Sequence, residues 1–383
     1  MNRYELAATP HITAGVGARE ALGALAASTA GTKGKVLLVA DPGLAATGMV
    51  EEVRAAIEKS LPVAAVFREF AGDPTIGQTD AAARLAREAQ ASAVVALGGG
   101  SALDLGKAAA AIAGEDRSAL DYELCKRDFP QARLPAICVP TTSGTGSETT
   151  RTAVLTRDDH AKTWLWGDAV KAAKVVLDPE LTFTLPPAVT AATGIDALVH
   201  AVEAATNRNA TPANNLYAHE AIKLVSAHLE RAVSHPSDSV AREALQRAAM
   251  LAGIAIDNAG TAIAHNMGHA MGSLRKIHHG RAVGLAMLAS LPWNIEADDG
   301  RFAACATAMG EEASAKAFIS AYERLLRGSG VEISLGHEFE GVSPAELARQ
   351  MARPENASMR ASNARSTSDA DLLRLAERVL TQA

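Results

Sequence analysis

The sequence predicts an α/β domain built on a parallel sheet over residues 1–182, followed by an all-helical domain over 183–383. Three observations carry this. Short β-rich runs alternate with helical periodicity through the first third of the chain, a pattern that needs crossover helices and hence parallel strands. From about Pro186 strand signals almost vanish, and long Ala/Leu/Met stretches recur with a 3.6-residue period. Between the two textures, Asp178-Pro179 to Pro186-Pro187 marks a boundary.

In order, Lys35 to Ala40 is a β-rich run ending at Asp41-Pro42-Gly43. Gly48 to Ser60 reads as an amphipathic helix, Val63 to Phe70 as a strand and Thr79 to Gln90 as a helix. Ala93 to Leu97 is a buried strand, Gly98-Gly99-Gly100-Ser101 a turn, and Ala102 to Ala113 the helix after it. Leu134 to Val139 is a further strand, running into Pro140-Thr141-Thr142. In the second half, helices are predicted over Ala188–Thr206, Ala213–Arg231, Ser239–Gly253 and Ala282–Asn294, with a polar loop over Pro354–Ser368 and a last helix over Ala370–Thr381.

Composition narrows the function. The chain has 383 residues, enough for two or three ordinary domains. A net charge of −6 offers nothing to nucleic acid or an anionic membrane. Cys125, Cys138 and Cys305 lack CxxC spacing, which argues against disulfides and a thiolate metal site and suits a reducing cytoplasm. Met1 to Glu5 lacks the apolar core of a signal peptide, and no apolar run approaches the roughly 20 residues that span a bilayer.

Two loops at strand ends suggest a nucleotide. Gly98 to Ser101 lets backbone amides approach an anion, with a helix N-terminus behind them that Ser101 can cap. A pyrophosphate cradle and a plain strand-to-helix turn both fit the triplet, which is not GxGxxG. Thr141-Thr142-Ser143-Gly144-Thr145-Gly146-Ser147-Glu148 is a second Gly-punctuated loop whose hydroxyls suit a phosphate or ribose, or simple turn chemistry. Asp41 ends a strand, where a carboxylate can bind ribose hydroxyls and repel a 2′-phosphate, or merely cap the turn.

The helical half carries a metal-ligand pattern. Asp196 and His200 are four apart, as are His265 and His269, and His278-His279-Gly280 follows. Four-residue spacing on a helix places side chains on one face, about 5–6 Å apart at Cβ. Mixed oxygen and imidazole donors suit Zn²⁺ or Fe²⁺ better than Mg²⁺ or Ca²⁺. Singly, each histidine also reads as a core or surface residue, and Asp196 as a helix cap after Gly194. His11, His160, His219, His228, His235 and His337 lie outside any such constellation.

Taken together these stretches resemble the iron-containing (group III) alcohol dehydrogenase family. The matching segments are Gly98 to Lys107, Pro140 to Thr150, Asp178 to Leu181 with Pro186-Pro187, Thr193 to Ala204, and His265 to Gly280, in family order. Asn363-Ala364-Arg365 resembles an Asn-Pro-Arg element more loosely. The resemblance implies a Rossmann-like dinucleotide domain followed by a helical metal-binding domain, an architecture shared with dehydroquinate synthase, with a catalytic cleft between them. Its implied activity is hydride transfer between NAD and a small primary alcohol or aldehyde, with one divalent metal, Fe²⁺ or Zn²⁺, in a cytoplasmic homodimer or larger homo-oligomer.

By motif position, the resemblance makes Asp196, His200, His265 and His279 metal ligands and puts His269 beside them without binding the metal; a near-neutral imidazole there suits a proton relay, or else simple packing against the ligands. It gives the pyrophosphate to Gly98, Gly99, Gly100 and Ser101, with Asp104 and Lys107 supporting that loop. Thr141, Thr142, Thr145 and Thr150 fall on the nicotinamide half, with Lys162 and Leu181 nearby, and Asp41 favours NAD over NADP. Departures are His278 before His279, which adds a competing ligand; Gly72-Asp73-Pro74-Thr75, which brings an acid toward the cofactor edge; and Arg151-Thr152 and Lys162 to Trp166, which fit either a pocket for an anionic or bulky substrate or the surface. A maleylacetate reductase, a dehydroquinate-synthase-like lyase and a non-catalytic metal- or nucleotide-binding protein are the alternatives; the lyase would call for more basic residues than the chain offers.

Overall fold

The computed structural model describes residues 4–382. Met1 to Arg3, part of the segment read as lacking a signal core, and Ala383 lie outside the described residues. The chain divides into two compact units. One is Ala8–Thr142 with Gly146–Thr184; the other runs from Leu185 onward and takes in Ser143–Thr145 and the described residues before Ala8.

The first unit carries strands β1 (His11–Ala14), β2 (Val36–Ala40), β3 (Val63–Phe67), β4 (Ala93–Gly98), β5 (Ala136–Pro140), β6 (Thr152–Thr156), β7 (Lys162–Trp166) and β8 (Lys174–Leu177), with helices α1 (Leu22–Ala30), α2 (Met49–Glu58), α3 (Ile76–Glu88) and α4 (Gly100–Ile112). Six strands form one sheet in the order β1-β8-β5-β4-β2-β3, parallel throughout. β2, β4 and β5 are buried along their whole length, so they read as continuous apolar runs. Alternate side chains serve opposite faces: Leu37, Val39 and Val94 join α3 and α4 in one core, while Val36, Leu38, Val95 and Leu97 join α1 and α2 in another.

The chain leaves β2 toward one edge, through β3, then crosses back to β4 and proceeds through β5 toward the other. The strand order therefore reverses between β2 and β4, the point at which open α/β sheets leave a crevice at their carboxyl ends. Register aligns those ends: Ala40 lies opposite Leu97, and Gly98 opposite Pro140.

β6 and β7 form a separate antiparallel hairpin. Arg151 stacks over the Trp166 ring at 5.0 Å, and Trp166 is 45% exposed, a surface pairing. No strand was expected here or at β1 and β8; β1, at the sheet's edge, and β8 beside it have only four residues each, too few for a pattern to register.

The second unit is helical: α5 (Pro187–Thr206), α6 (Pro212–Ser234), α7 (Ser239–Ala259), α8 (Ile263–Leu274), α9 (His279–Asn294), α10 (Arg301–Ala308), α11 (Ala315–Gly328), α12 (Pro344–Met351), α13 (Ala357–Ser362) and α14 (Asp369–Leu380). α5 is the central element: every residue from Thr190 to Thr206 is buried. The predicted loop at Pro354–Ser368 is corrected by α13, which forms because Met359 and Ser362 anchor it inside. Beyond it Asn363 bonds Asn294 and the Arg365 carbonyl, and the Arg365 guanidinium lies 4.3 Å over the Trp293 ring.

Candidate functional site

Asp196 and His200 occupy the middle of α5, one turn apart on one face. Asp196 is thus a mid-helix residue, and the N-cap reading is wrong: α5 begins nine residues earlier, at Pro187. His265 and His269 share a face of α8, and His279 opens α9. The three helices converge on the Asp196 carboxylate. Its Oδ1 lies 3.6 Å from His279 Nε2, 3.7 Å from His265 Nε2 and 3.9 Å from His200 Nδ1, all too long for hydrogen bonds.

One ligand atom each from Asp196, His265 and His279 lies within 4.8 Å of the others. His200 falls outside that tight set; its ring stacks on His265, centroids 4.3 Å apart. His269 is half-buried, its centroid 5.4 Å from that of His279. His278 is exposed and serves as the N-cap residue of α9, so its neighbour, and not His278, supplies the ligand atom of the tight set. Close approach of α9 to α5 requires Gly280: a Cβ there would meet the Ala192 carbonyl oxygen at 2.0 Å.

These residues fit a divalent cation. Asp196 Oδ1, His265 Nε2 and His200 Nδ1 are buried with no hydrogen-bond partner among the described residues, an arrangement that costs about 1–3 kcal/mol per group unless something binds them. Burial would raise the Asp196 pKa, yet the surrounding His200, His279 and His265 hold it well below the usual carboxylate range. Burial pushes His200 down to about 4, with Asp196 opposing. Burial also works against charge on His265, but Glu203 and Asp196 outweigh it and push the ring up to about 9.

In the α/β unit the glycine turn lies against Thr141 and Thr142, the start of the second predicted loop. Gly98 has φ +148°, and a Cβ there would meet Asp41 Cβ at 2.7 Å. A Cβ on Gly99 would meet the Thr142 methyl at 3.3 Å, and Thr141 N donates to the Gly98 carbonyl at 2.9 Å. Gly99, not Ser101, is the N-cap of α4, and no side chain caps it; the chain turns into the helix two residues early. Asp41 Oδ1 accepts from Gly43 N at 2.8 Å, so it does cap its turn.

Asp104 and Lys107 direct their heads to the second loop, which corrects the expected support of Gly98–Ser101. Lys107 Nζ, fully buried, donates to the carbonyls of Ser147 at 2.7 Å and Thr152 at 2.6 Å. Asp104 accepts from Ser147 Oγ and from Val154 N. Thr150 Oγ1 lies 3.3 Å from Lys107 Nζ, which keeps that hydroxyl inside the loop. Lys162 pairs with Asp73 and reaches Thr156 Oγ1 at 3.2 Å; Leu181 is buried in the core beneath β2, β4 and β5. Thr145 belongs to the helical unit.

Residues 9–179 match the family described as "Iron-containing alcohol dehydrogenase", and residues 190–380 match "Fe-containing alcohol dehydrogenase family, C-terminal". The chain belongs to the iron-containing alcohol dehydrogenase family. It is 39% identical over 249 residues to long-chain-alcohol dehydrogenase 1 of Geobacillus thermodenitrificans, covering 64% of this chain and 63% of that one. It is 33% identical over 293 residues to the NAD-dependent methanol dehydrogenase of Bacillus methanolicus, covering 76% and 77%. The solved sulfoacetaldehyde reductase of Bifidobacterium kashiwanohense, in complex with NAD+, matches with a TM-score of 0.89 at 29% identity, covering all of both chains.

Sequence reasoning about this dehydrogenase-family chain missed Glu203. It lies on α5 one turn beyond His200, 2% exposed, and its carboxylate sits 2.6 Å from His265 Nδ1. The signal was there: positions 196, 200 and 203 form one polar stripe at i, i+4, i+7 on an otherwise apolar helix.

Proposed function

We propose that this chain is a metal-dependent, NAD-linked alcohol dehydrogenase and aldehyde reductase that moves a hydride between a small primary alcohol or aldehyde and the nicotinamide. The observation that carries this reading is the convergence of Asp196, His265 and His279, with His200 against Asp196, inside an apolar helical core. A divalent cation held there, Fe²⁺ or Zn²⁺, would supply Lewis acidity toward the substrate oxygen. One carboxylate and neutral imidazoles leave such a site a net positive charge.

The remaining work falls to the chain's own groups. His269, half-buried beside His279, moves the alcohol proton, since an imidazole transfers in both directions near neutral pH. Backbone amides at Gly98 to Ser101 and the uncapped amino end of α4 bind the pyrophosphate. Asp41 accepts from ribose hydroxyls, which favours NAD over NADP. Thr141, Thr142, Thr145 and Thr150, with Lys162 and Leu181, serve the nicotinamide half; Asp104 and Lys107 hold the loop that presents them. The NAD dependence of the Bacillus methanolicus enzyme and the NAD+ complex of the sulfoacetaldehyde reductase support this choice.

The proposal extends to residues 1–182 as the cofactor domain, 183–383 as the metal domain, and a cytoplasmic homodimer or larger homo-oligomer, which light scattering would size. No helix among the described residues is long and apolar enough to cross a membrane. The deciding experiment is elemental analysis of protein purified without chelator, joined to absorbance of reduced nicotinamide over a panel of alcohols and aldehydes. One divalent ion per chain and turnover with small primary alcohols are expected, with both lost in His265→Ala. No turnover across the panel, with metal and NAD bound, would overturn the assignment.

A further inference from the structure

We propose that Glu203 is a positioning residue that locks His265 as the Nδ1–H tautomer and aims its Nε2 lone pair at the corner shared with Asp196 and His279. This inference rests on the metal-site reading above.

The argument begins at the amino end of α8. Its first amides have no intrahelical acceptors, and Ala262 at the N-cap offers no side chain to cap them. Glu203, reaching from α5, takes that role. Its Oε1 accepts from Ala264 N at 2.6 Å and His265 N at 3.3 Å. Its Oε2 accepts from Ala262 N at 2.7 Å and faces His265 Nδ1 at 2.6 Å. The helix terminus also favours a negative charge at this point.

Every identified backbone partner of the carboxylate is an N–H donor, and both oxygens are committed to at least one. An ionised carboxylate accepts only, so the fourth contact requires a proton on His265 Nδ1. That leaves Nε2 as the lone-pair nitrogen, and the same atom is buried, 3.7 Å from Asp196 Oδ1, without a hydrogen-bond partner among the described residues. The partner of one ring nitrogen fixes what the other can bind. One carboxylate thus sets both where α8 begins and which nitrogen of its third residue faces the ion. A carboxamide cannot substitute: whichever way it turns, its NH₂ confronts a backbone N–H.

The test uses full-length protein loaded with Zn²⁺ for NMR and with Co²⁺ for absorption. In Zn²⁺-loaded wild type with ¹⁵N-histidine, His265 should show a hydrogen-bonded Nδ1–H and a coordinated Nε2. In Glu203→Gln, Co²⁺ affinity should fall by roughly 10–100-fold, with altered ligand-field bands. A residue that merely caps α8 would lower the melting temperature and leave Co²⁺ affinity and spectrum untouched; that outcome, with binding lost in Asp196→Ala, overturns the Glu203 assignment alone. Unchanged Co²⁺ binding in Asp196→Ala sinks the metal-site reading and this inference with it. If Glu203→Gln does not fold, the wild-type spectrum decides: a proton on Nε2, or none on Nδ1, refutes the assignment.

Discussion

On the proposed reading, the helical corner around Asp196 and the paired loops around Gly98 solve recognition in opposite ways. At the corner, side chains carry the chemistry. Helices of 20, 12 and 16 residues hold a few polar atoms rigidly in an apolar interior. At the loops, backbone carries it. Gly98 and Gly99 contribute no side chain, and the charged groups nearby, Asp104 and Lys107, spend their hydrogen bonds on Ser147 of the neighbouring loop and on the backbone of β6. A ligand-bearing corner should therefore fail abruptly when one atom type is removed, whereas a backbone cradle should fail by degrees as its shape is disturbed.

The sharpest break is Asp196→Ala. It removes the one carboxylate that all three imidazoles face. Metal content should fall to background and turnover by on the order of a thousandfold, about 4 kcal/mol of barrier, while NAD affinity by calorimetry stays unchanged. Loss of NAD binding as well would erase the contrast between the two regions.

Next comes Glu148, in the second loop. Burial pushes its carboxyl up to about 7, and its own backbone amide and Lys107 offset only part of that. A folded value above the ordinary 4.5 means the native state holds the proton more tightly. The stability involved is complete below about pH 4.5 and is lost as pH rises through 7. Glu148→Gln cannot ionise, so by pH 8 it should be more stable than wild type, relative to their difference at pH 4, by roughly 3 kcal/mol. Urea midpoints across this range are the measurement, and parallel curves would exclude Glu148 as the titrating group.

Gly280→Ala tests the rigidity of the corner. Its methyl would press on the Ala192 carbonyl, costing about 1–3 kcal/mol and lifting His279 from Asp196. A lower melting temperature with weaker Zn²⁺ binding is expected; equal Zn²⁺ affinity would mean α9 yields without moving its first residue.

The mildest effect should come from Gly98→Ala, the mirror of the first experiment. At φ +148°, with Asp41 Cβ and Ala102 Cβ each 2.7 Å from the new methyl, the turn must distort. NAD affinity should weaken about tenfold, ~1.4 kcal/mol, with metal content intact. An unaltered Kd for NAD would show that the turn does not carry the pyrophosphate.

How far each region was legible in the sequence follows from the same contrast. Helix-borne residues announce themselves by spacing, so Asp196, His200, His265 and His269 could be paired before any fold was known. The alternation of strands and helices gave the sheet, because β2, β4 and β5 are buried on both faces and read as apolar runs. Spacing does not say which nitrogen of His200 faces Asp196, nor that Glu203 reaches across to another helix. Such tertiary contacts depend on how α5 meets α8. Likewise the sequence put Lys107 and Asp104 near the glycine turn but could not show that their heads point to Ser147 and Val154. The short strands β1, at the sheet's edge, and β8 beside it left no period to detect.

The space that a side chain at position 98 would need is already held from two sides, by Cβ of Asp41 and Cβ of Ala102. Every residue but glycine keeps that atom, so an exchange at 41 leaves the turn as closed to a side chain as before. Position 41 can therefore change its chemistry while the shape of the turn persists.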